Sequence, residues 1–200
     1  APRSARPWAP STPGRKDVAV PKLLVIVTAL LLGVASAQPQ GRLTLEPMDG
    51  VVGTPVSAVA TGLTPGTEVE LVWLSADAAW NVGDGTFHGV TAEETRTVLA
   101  TATVDDAGEA TFAFAVPEDY GYVHNVFVEA GGELLARNGF TVAPSLEISA
   151  TSGPVGTPIT VTMKGIGYRF WESVWHLAYD GAHTGWASAI TTRGTAVFTL

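Results

Sequence analysis

The sequence predicts an all-β protein built from two consecutive β-sandwiches, and three observations support this prediction. The chain of 200 residues has 46% hydrophobic and only 15% charged residues, with abundant glycine, which suits half-buried strands better than long surface helices. Short segments that alternate apolar and polar residues recur between turn signals. The segment VGTP occurs at residues 52–55 and again at residues 155–158, and repetition at such a spacing indicates a repeated structural unit.

The chain begins with a segment that predicts export. Residues 1–15 are rich in Pro, Arg and Ser, and we interpret them as a disordered leader or as an extension upstream of the true start. In residues 16–37, Lys16 and Lys22 precede an apolar run, and the small residues Ala-Ser-Ala end at Ala37. This order is typical of a signal peptide cleaved after Ala37; an uncleaved N-terminal anchor is the alternative. We therefore expect a secreted, extracellular or cell-envelope protein without an integral membrane domain after cleavage.

The first repeat, residues 41–143, reads as an immunoglobulin-like sandwich. Apolar and polar residues alternate at residues 69–73 and 110–116, and further strand patterns occupy residues 56–61, 122–129 and 134–142. Turn signals such as Asp-Asp-Ala-Gly and Gly-Gly separate these segments. About seven short strands in roughly 100 residues is the pattern of such a sandwich.

The second repeat, residues 145–200, reads as a truncated copy of the same sandwich. Its strand at residues 159–163 follows the second VGTP, and its Gly-x-Ala-x-Phe segment at residues 194–198 matches residues 108–112 of the first repeat. The first repeat carries extra residues near Asp77–Thr97, which we interpret as a loop insertion. The last two strands of the first repeat have no counterpart, so we expect a fragment of a longer protein. The alternative is that a neighbouring chain supplies the missing strands.

The opening of the second repeat carries a family resemblance. The segment Ser149–Gly167, SATSGPVGTPITVTMKGIG, resembles the start of the IPT/TIG-like bacterial immunoglobulin-like repeats, although Ala150 stands where those repeats usually have Pro. The resemblance is strong over about 20 residues and extends to the rest of each repeat by pattern only. It implies a fold and a secreted or cell-surface location, and it implies no activity.

Aromatic side chains supply the candidate ligand patch. Trp73 and Trp175 lie in equivalent predicted strands and are expected in the sandwich cores. The remaining aromatic residues of interest lie in predicted loops or at loop edges, where they could stack on the apolar faces of sugars or pack at the rim of a core. The candidate patch comprises Tyr168, Phe170, Trp171, Trp186 and Trp80.

No catalytic, cofactor-binding or metal-binding set is predicted. The four histidines lack the spacing of known zinc motifs, cysteine is absent, and neither a nucleophile elbow nor a phosphate loop is present. Acidic pairs such as Asp105-Asp106 and Glu118-Asp119 read as turn residues more readily than as calcium ligands. From Gln38 onward the chain has 6 basic and 18 acidic residues, a charge that argues against nucleic-acid binding.

These observations predict a non-enzymatic module that acts in adhesion, spacing or envelope structure. Its expected partners are a cell-surface protein or a polysaccharide. Two alternatives remain open: a carbohydrate-binding accessory region of a larger extracellular enzyme, and a surface filament or layer subunit whose second repeat is completed by a partner strand.

Overall fold

A computed structural model describes residues 41–167 and 174–200, and every regular element in these two ranges is a β-strand. All described residues belong to one compact unit that spans residues 37–200. We call residues 41–143 the first lobe and residues 145–200 the second lobe. The predicted leader and signal segment lie outside the described residues. Within the described ranges there is no helix that could cross a membrane.

The first lobe contains eight strands in two sheets. The strands are β1 (Arg42–Glu46), β2 (Asp49–Gly50), β3 (Pro55–Thr61), β4 (Glu68–Gly83), β5 (Thr86–Thr103), β6 (Glu109–Ala115), β7 (Tyr122–Ala130) and β8 (Glu133–Val142). One sheet has the order β1-β3-β6, and the other has the order β2-β8-β7-β4-β5. The all-β, layered arrangement agrees with the predicted class, and the sheets are open rather than closed into a barrel.

A shared apolar core holds the two sheets of the first lobe together. Buried and exposed residues alternate along β3 and β6, so each strand turns one apolar face inward. Phe112 of the first sheet lies in the same buried cluster as Trp73 and Phe140 of the second. Burial of side chains of this size contributes about 1.5–3 kcal/mol each, which makes this cluster the main source of stability in the lobe.

Both VGTP segments are turns. Gly53 and Gly156 have φ angles of 87° and 89°, a left-handed conformation that glycine adopts without steric cost. The Gly53 amide donates to the Val116 carbonyl at 2.8 Å, and Pro55 is the first residue of β3. The segment therefore has a structural role in the described turns, as its repetition predicts.

The extra residues of the first repeat form a long hairpin, so the prediction of a loop insertion is wrong. Strands β4 and β5 pair along their whole length, from Glu68 opposite Thr103 to Gly83 opposite Thr86, with register shifts at two positions. Their turn residues Asp84 and Gly85 both have positive φ, the geometry of a tight hairpin turn. Only residues 70–73 of β4 pair with β7. Residues 74–96 therefore extend beyond the sandwich as a two-stranded ribbon, which we call the hairpin arm.

The second lobe contains β9 (Ser145–Ile148), β10 (Thr160–Lys164), β11 (Val174–Tyr179), β12 (Ala182–Ser188) and β13 (Ala196–Thr199). Its three-stranded sheet has the order β13-β10-β9, and β11 pairs with β12. The central strand β10 follows the second VGTP, as β3 follows the first. Among the described residues, β11 pairs only with β12, whereas β4 of the first lobe has partners on both edges.

Candidate functional site

The hairpin arm connects the two lobes through a small apolar cluster. Ala78 of β4, Tyr120 of the segment before β7 and Ile190 of the second lobe are buried together. The partly buried side chains of Trp80 and Val90 pack against them. Trp80, a predicted ligand-patch residue, therefore lies at the rim of the lobe junction, where its ring also contacts Phe87 at a centroid distance of 5.5 Å.

The Tyr120 hydroxyl bridges the two lobes. It accepts a hydrogen bond from the Ala78 amide at 3.3 Å and donates one to the Ile190 carbonyl at 2.5 Å. The residue is 1% exposed, so water does not compete for these bonds. Burial raises the pKa of the Tyr120 hydroxyl, because the charged phenolate is poorly solvated there. The group remains a neutral donor to the second lobe at ordinary pH.

A buried carboxylate, Asp119, lies beside this bridge. It accepts hydrogen bonds from Trp73 Nε1 at 2.8 Å, from Ser75 Oγ at 2.6 Å and from the Tyr120 amide at 2.8 Å. Asp119 is 1% exposed, and a buried carboxylate is tolerated only when its oxygens are hydrogen-bonded. All three donors belong to the first lobe, so this lobe satisfies the acid by itself.

His124 completes the buried polar group. Its ring stacks on Trp73 at a centroid distance of 4.6 Å. Its Nδ1 lies 3.0 Å from the Leu74 carbonyl, and its Nε2 lies 2.7 Å from the Tyr120 carbonyl. Both partners are main-chain carbonyl oxygens, so both ring nitrogens are engaged with the backbone. Asp119 Oδ2 lies 3.9 Å from Nδ1.

The second lobe presents Arg193 to this acidic region. Its Nη2 lies 3.9 Å from Asp119 Oδ2 and donates to Thr95 Oγ1 at 3.2 Å. Its Nε lies 3.7 Å from Asp77 Oδ1. The guanidinium therefore faces residues of the hairpin arm and of the buried polar group at the same time. Because the side chain is 41% exposed, the attraction is partly screened by water.

The lobes also meet backbone to backbone. The Gly121 amide donates to the Ile166 carbonyl at 3.2 Å. A β-carbon on Gly121 would lie 2.1 Å from the Gly165 oxygen, and one on Gly194 would lie 2.3 Å from the Asp119 oxygen. Such contacts admit only glycine. The two lobes are therefore in close contact through main-chain atoms.

A surface ion pair flanks the same junction. Glu118 accepts a hydrogen bond from Thr195 Oγ1 at 2.7 Å and one from Lys164 Nζ at 3.1 Å. The hydrogen bond from Thr195, and to a lesser extent that from Lys164, holds the pKa of the Glu118 carboxyl below its usual value. Of the predicted acidic pair, Glu118 therefore makes an exposed contact between the lobes, and Asp119 is buried in the first lobe.

A cleft of about 400 Å³ opens beside the junction and is lined in part by Ser75, Glu94, Tyr120, Tyr122 and His124. Two of the lining residues, Tyr120 and His124, have their polar atoms engaged with main-chain groups. A general acid or base must be able to exchange a proton with a substrate. These bonds leave Tyr120 and His124 poorly placed for such an exchange, whereas the exposed carboxylate of Glu94 also lines the cleft.

Of the five residues of the predicted ligand patch, the structure describes Trp80 and Trp186. Tyr168, Phe170 and Trp171 lie outside the described residues. Trp186 lies on β12, 68% exposed, and its ring contacts His176 and His183 at centroid distances of 5.5 and 6.2 Å. Sequence reasoning missed this grouping, because the register of the β11–β12 hairpin is needed to bring the two histidines together. We call His176, His183 and Trp186 the aromatic triplet.

Comparisons with known proteins add little to this description. No family model matches the chain, and no curated protein matches it. Among solved structures, macromomycin is similar over 52% of this chain and 99% of its own length, with 23% sequence identity and a TM-score of 0.31. A TM-score this low does not establish a shared fold.

Proposed function

We propose that the chain is a non-catalytic module of the cell surface or envelope that holds its two lobes in one fixed arrangement. The observation that carries the proposal is the Tyr120 hydroxyl, a buried group hydrogen-bonded to both lobes at once. Reorienting the lobes would break the hydrogen bond from the hydroxyl to the Ile190 carbonyl, and a buried polar group that loses its partner costs about 1–3 kcal/mol. A fixed arrangement is what a spacer between a cell and its surroundings requires.

The state of the buried polar residues supports a structural role over a catalytic one. Asp119 accepts three hydrogen bonds from its own lobe, and both ring nitrogens of His124 face carbonyl oxygens. Catalytic acids and bases need an open side toward the substrate. We assign these residues to positioning the junction.

Location is proposed from the sequence. The order of basic, apolar and small residues in 16–37 is that of a signal peptide, and the segment Ser149–Gly167 resembles IPT/TIG-like repeats of secreted and cell-surface proteins. Expression of the full chain in a bacterial host, followed by fractionation and N-terminal sequencing, tests this part. A product in the cytoplasm that retains Lys22 would contradict it.

Residual dipolar couplings of residues 38–200 test the fixed arrangement. We expect one alignment tensor to fit the amides of both lobes. Two different tensors would show that the lobes reorient freely, and the proposed spacing role would then be lost even if the chain is exported.

A second candidate function is a surface subunit completed by a partner strand. It is favoured by the pairing of β11, which among the described residues is with β12 alone, whereas the corresponding strand β4 also pairs with β7. An exposed strand edge is a template for strand addition. Sedimentation over a range of concentrations distinguishes the two: polymers favour the subunit, and a monomer at all concentrations favours the spacer.

Carbohydrate binding remains a candidate through Trp186, whose exposed ring is available for stacking on a sugar. Screening of the exported chain against polysaccharides tests it, with Trp186→Ala as the variant and Tyr179→Ala, which removes another exposed aromatic ring, as the control. Equal binding by both variants would remove Trp186 from consideration.

A further inference from the structure

The aromatic triplet places two imidazole rings side by side on an exposed sheet face. The rings of His176 and His183 have a centroid distance of 5.6 Å and an interplanar angle of 61°. Both residues are exposed, so the contact does not serve to fill a core. Imidazole nitrogens are ligands for zinc, copper and nickel.

A bulge in the hairpin creates this arrangement. Leu177 pairs with Gly185 and Ala178 pairs with His183, so Thr184 is an extra residue on β12. Side chains of a regular strand alternate between faces, and His183 would then lie on the opposite face from Trp186. The extra residue reverses this alternation. The Thr184 hydroxyl donates to the Leu177 carbonyl at 3.1 Å, which ties the bulge to β11.

The backbone fixes both histidines more firmly than a loop would. His176 lies in the middle of β11, opposite Trp186, and His183 lies one pair from the end of the hairpin. Two imidazoles whose centres are 5–6 Å apart can direct one nitrogen each to a common ion, because a metal–nitrogen bond is about 2.0–2.1 Å long. Small side-chain rotations are sufficient, since both rings are exposed.

We propose that His176 and His183 bind one divalent transition-metal ion of the zinc or copper type. The described residues contain no group of three or more His, Cys, Asp or Glu side chains that could hold a metal. The proposed ion therefore has two protein ligands and keeps water at its other positions. Such an open site differs from a closed structural zinc site, and it can accept a further ligand from outside the chain.

Trp186 provides a built-in reporter of the site. Its ring lies 5.5 Å from His176 and 6.2 Å from His183. Copper(II) at the two imidazoles would quench the fluorescence of this indole, whereas zinc(II) would bind without strong quenching. Quenching by copper(II) without a similar effect of zinc(II) would indicate an ion bound near Trp186, whereas a change in structure would alter the fluorescence with either ion.

Calorimetry with zinc(II) and fluorescence with copper(II), both on the full chain, test the proposal. We expect saturable binding of one ion, and quenching of one exposed tryptophan by copper. His176→Ala and His183→Ala should each weaken binding by roughly tenfold or more, since even an outer partner of a metal ligand is worth about 10–100-fold in affinity. Trp186→Phe should keep the zinc affinity and lose most of the quenching.

His88→Ala is the matched control, because His88 is an exposed histidine on the separate strand β5. It should leave affinity unchanged. The proposal is overturned by an absence of saturable binding, by binding that survives in the double variant of His176 and His183, or by an equal loss in His88→Ala. Unchanged far-ultraviolet circular dichroism in each variant shows that a loss reflects the ligands and not unfolding.

Discussion

Replacement of Gly121 by alanine provides a direct test of the junction between the lobes. The added methyl group would lie 2.1 Å from the Gly165 oxygen and 3.0 Å from the Gly165 carbonyl carbon. Both are main-chain atoms, so no side chain can rotate away to make room. Gly121 lies outside the strands. The overlap is with the second lobe, whereas the nearest first-lobe atom, the Val142 oxygen at 3.6 Å, is at an ordinary contact distance.

The cost follows from the overlap. The methyl carbon must withdraw by about 1 Å to reach a permitted contact, and overpacking of this kind costs about 1–3 kcal/mol. The shift also breaks or weakens the hydrogen bond from the Gly121 amide to the Ile166 carbonyl, which is worth about 0.5–1.5 kcal/mol. We expect a loss of about 2–4 kcal/mol in the docking of the lobes and little change in the first lobe.

Two measurements separate docking from folding. Urea unfolding, followed by amide signals assigned to each lobe, should show an earlier transition for the second lobe and an unchanged one for the first. Residual dipolar couplings should then require two alignment tensors. Gly185→Ala is the control, because a β-carbon there meets no atom within 4 Å. If Gly121→Ala kept a single tensor and wild-type stability, main-chain contact at Gly121 would not hold the lobes together.

Three further predictions concern the same junction. Asp119→Ala should lower the stability of the first lobe by about 2–5 kcal/mol in urea unfolding, because Trp73 Nε1 loses its acceptor in the core; equal stability would contradict the assigned role. Tyr120→Phe should weaken docking by about 1–2 kcal/mol, measured from the second-lobe transition, and an unchanged transition would show that the hydroxyl does not bridge. Because the pKa of Glu118 is lowered, its contribution to docking of the second lobe is present above the usual carboxyl pKa and is lost as pH falls through the lowered value. Acidification should therefore lower the urea concentration at which the second lobe unfolds. The effect should be smaller in Glu118→Gln, and smaller at high salt, which screens the charge of Lys164.

The sequence predicts the strands better than it predicts what joins them. The alternation at residues 110–116 and the turn at VGTP depend on local periodicity and local backbone geometry, and the structure has β6 and a glycine turn there. The immunoglobulin-like class and the IPT/TIG resemblance stay predictions, because strand number and order are consistent with more than one sandwich. The pairing of distant segments needs information that periodicity does not contain.

The hairpin arm shows this limit in particular residues. The segment GDGTFHG reads as a loop because of its three glycines, yet only Asp84 and Gly85 form the turn. The other residues pair across the hairpin, apart from His88 at a register shift. Asp-Gly between two alternating segments is a hairpin signal.

The aromatic triplet shows a different limit. A strict period of two places His183 and Trp186 on opposite faces of β12. The bulge at Thr184 places them on one face. A glycine within a strand, here Gly185, is a signal of a bulge, but it does not say which residue is the extra one. A single extra residue therefore decides whether the two histidines can share a ligand, and only the register reveals it.

The distribution of hydrogen bonds at the junction indicates how the two lobes come together. Asp119 takes its three hydrogen bonds from the first lobe alone, so this lobe can fold with its buried charge already satisfied. The second lobe adds Arg193, which lies 3.9 Å from Asp119, and the Ile190 carbonyl, which accepts from the Tyr120 hydroxyl. Because Asp119 has its partners without the second lobe, we expect the first lobe to fold on its own and to provide the surface onto which the second lobe docks.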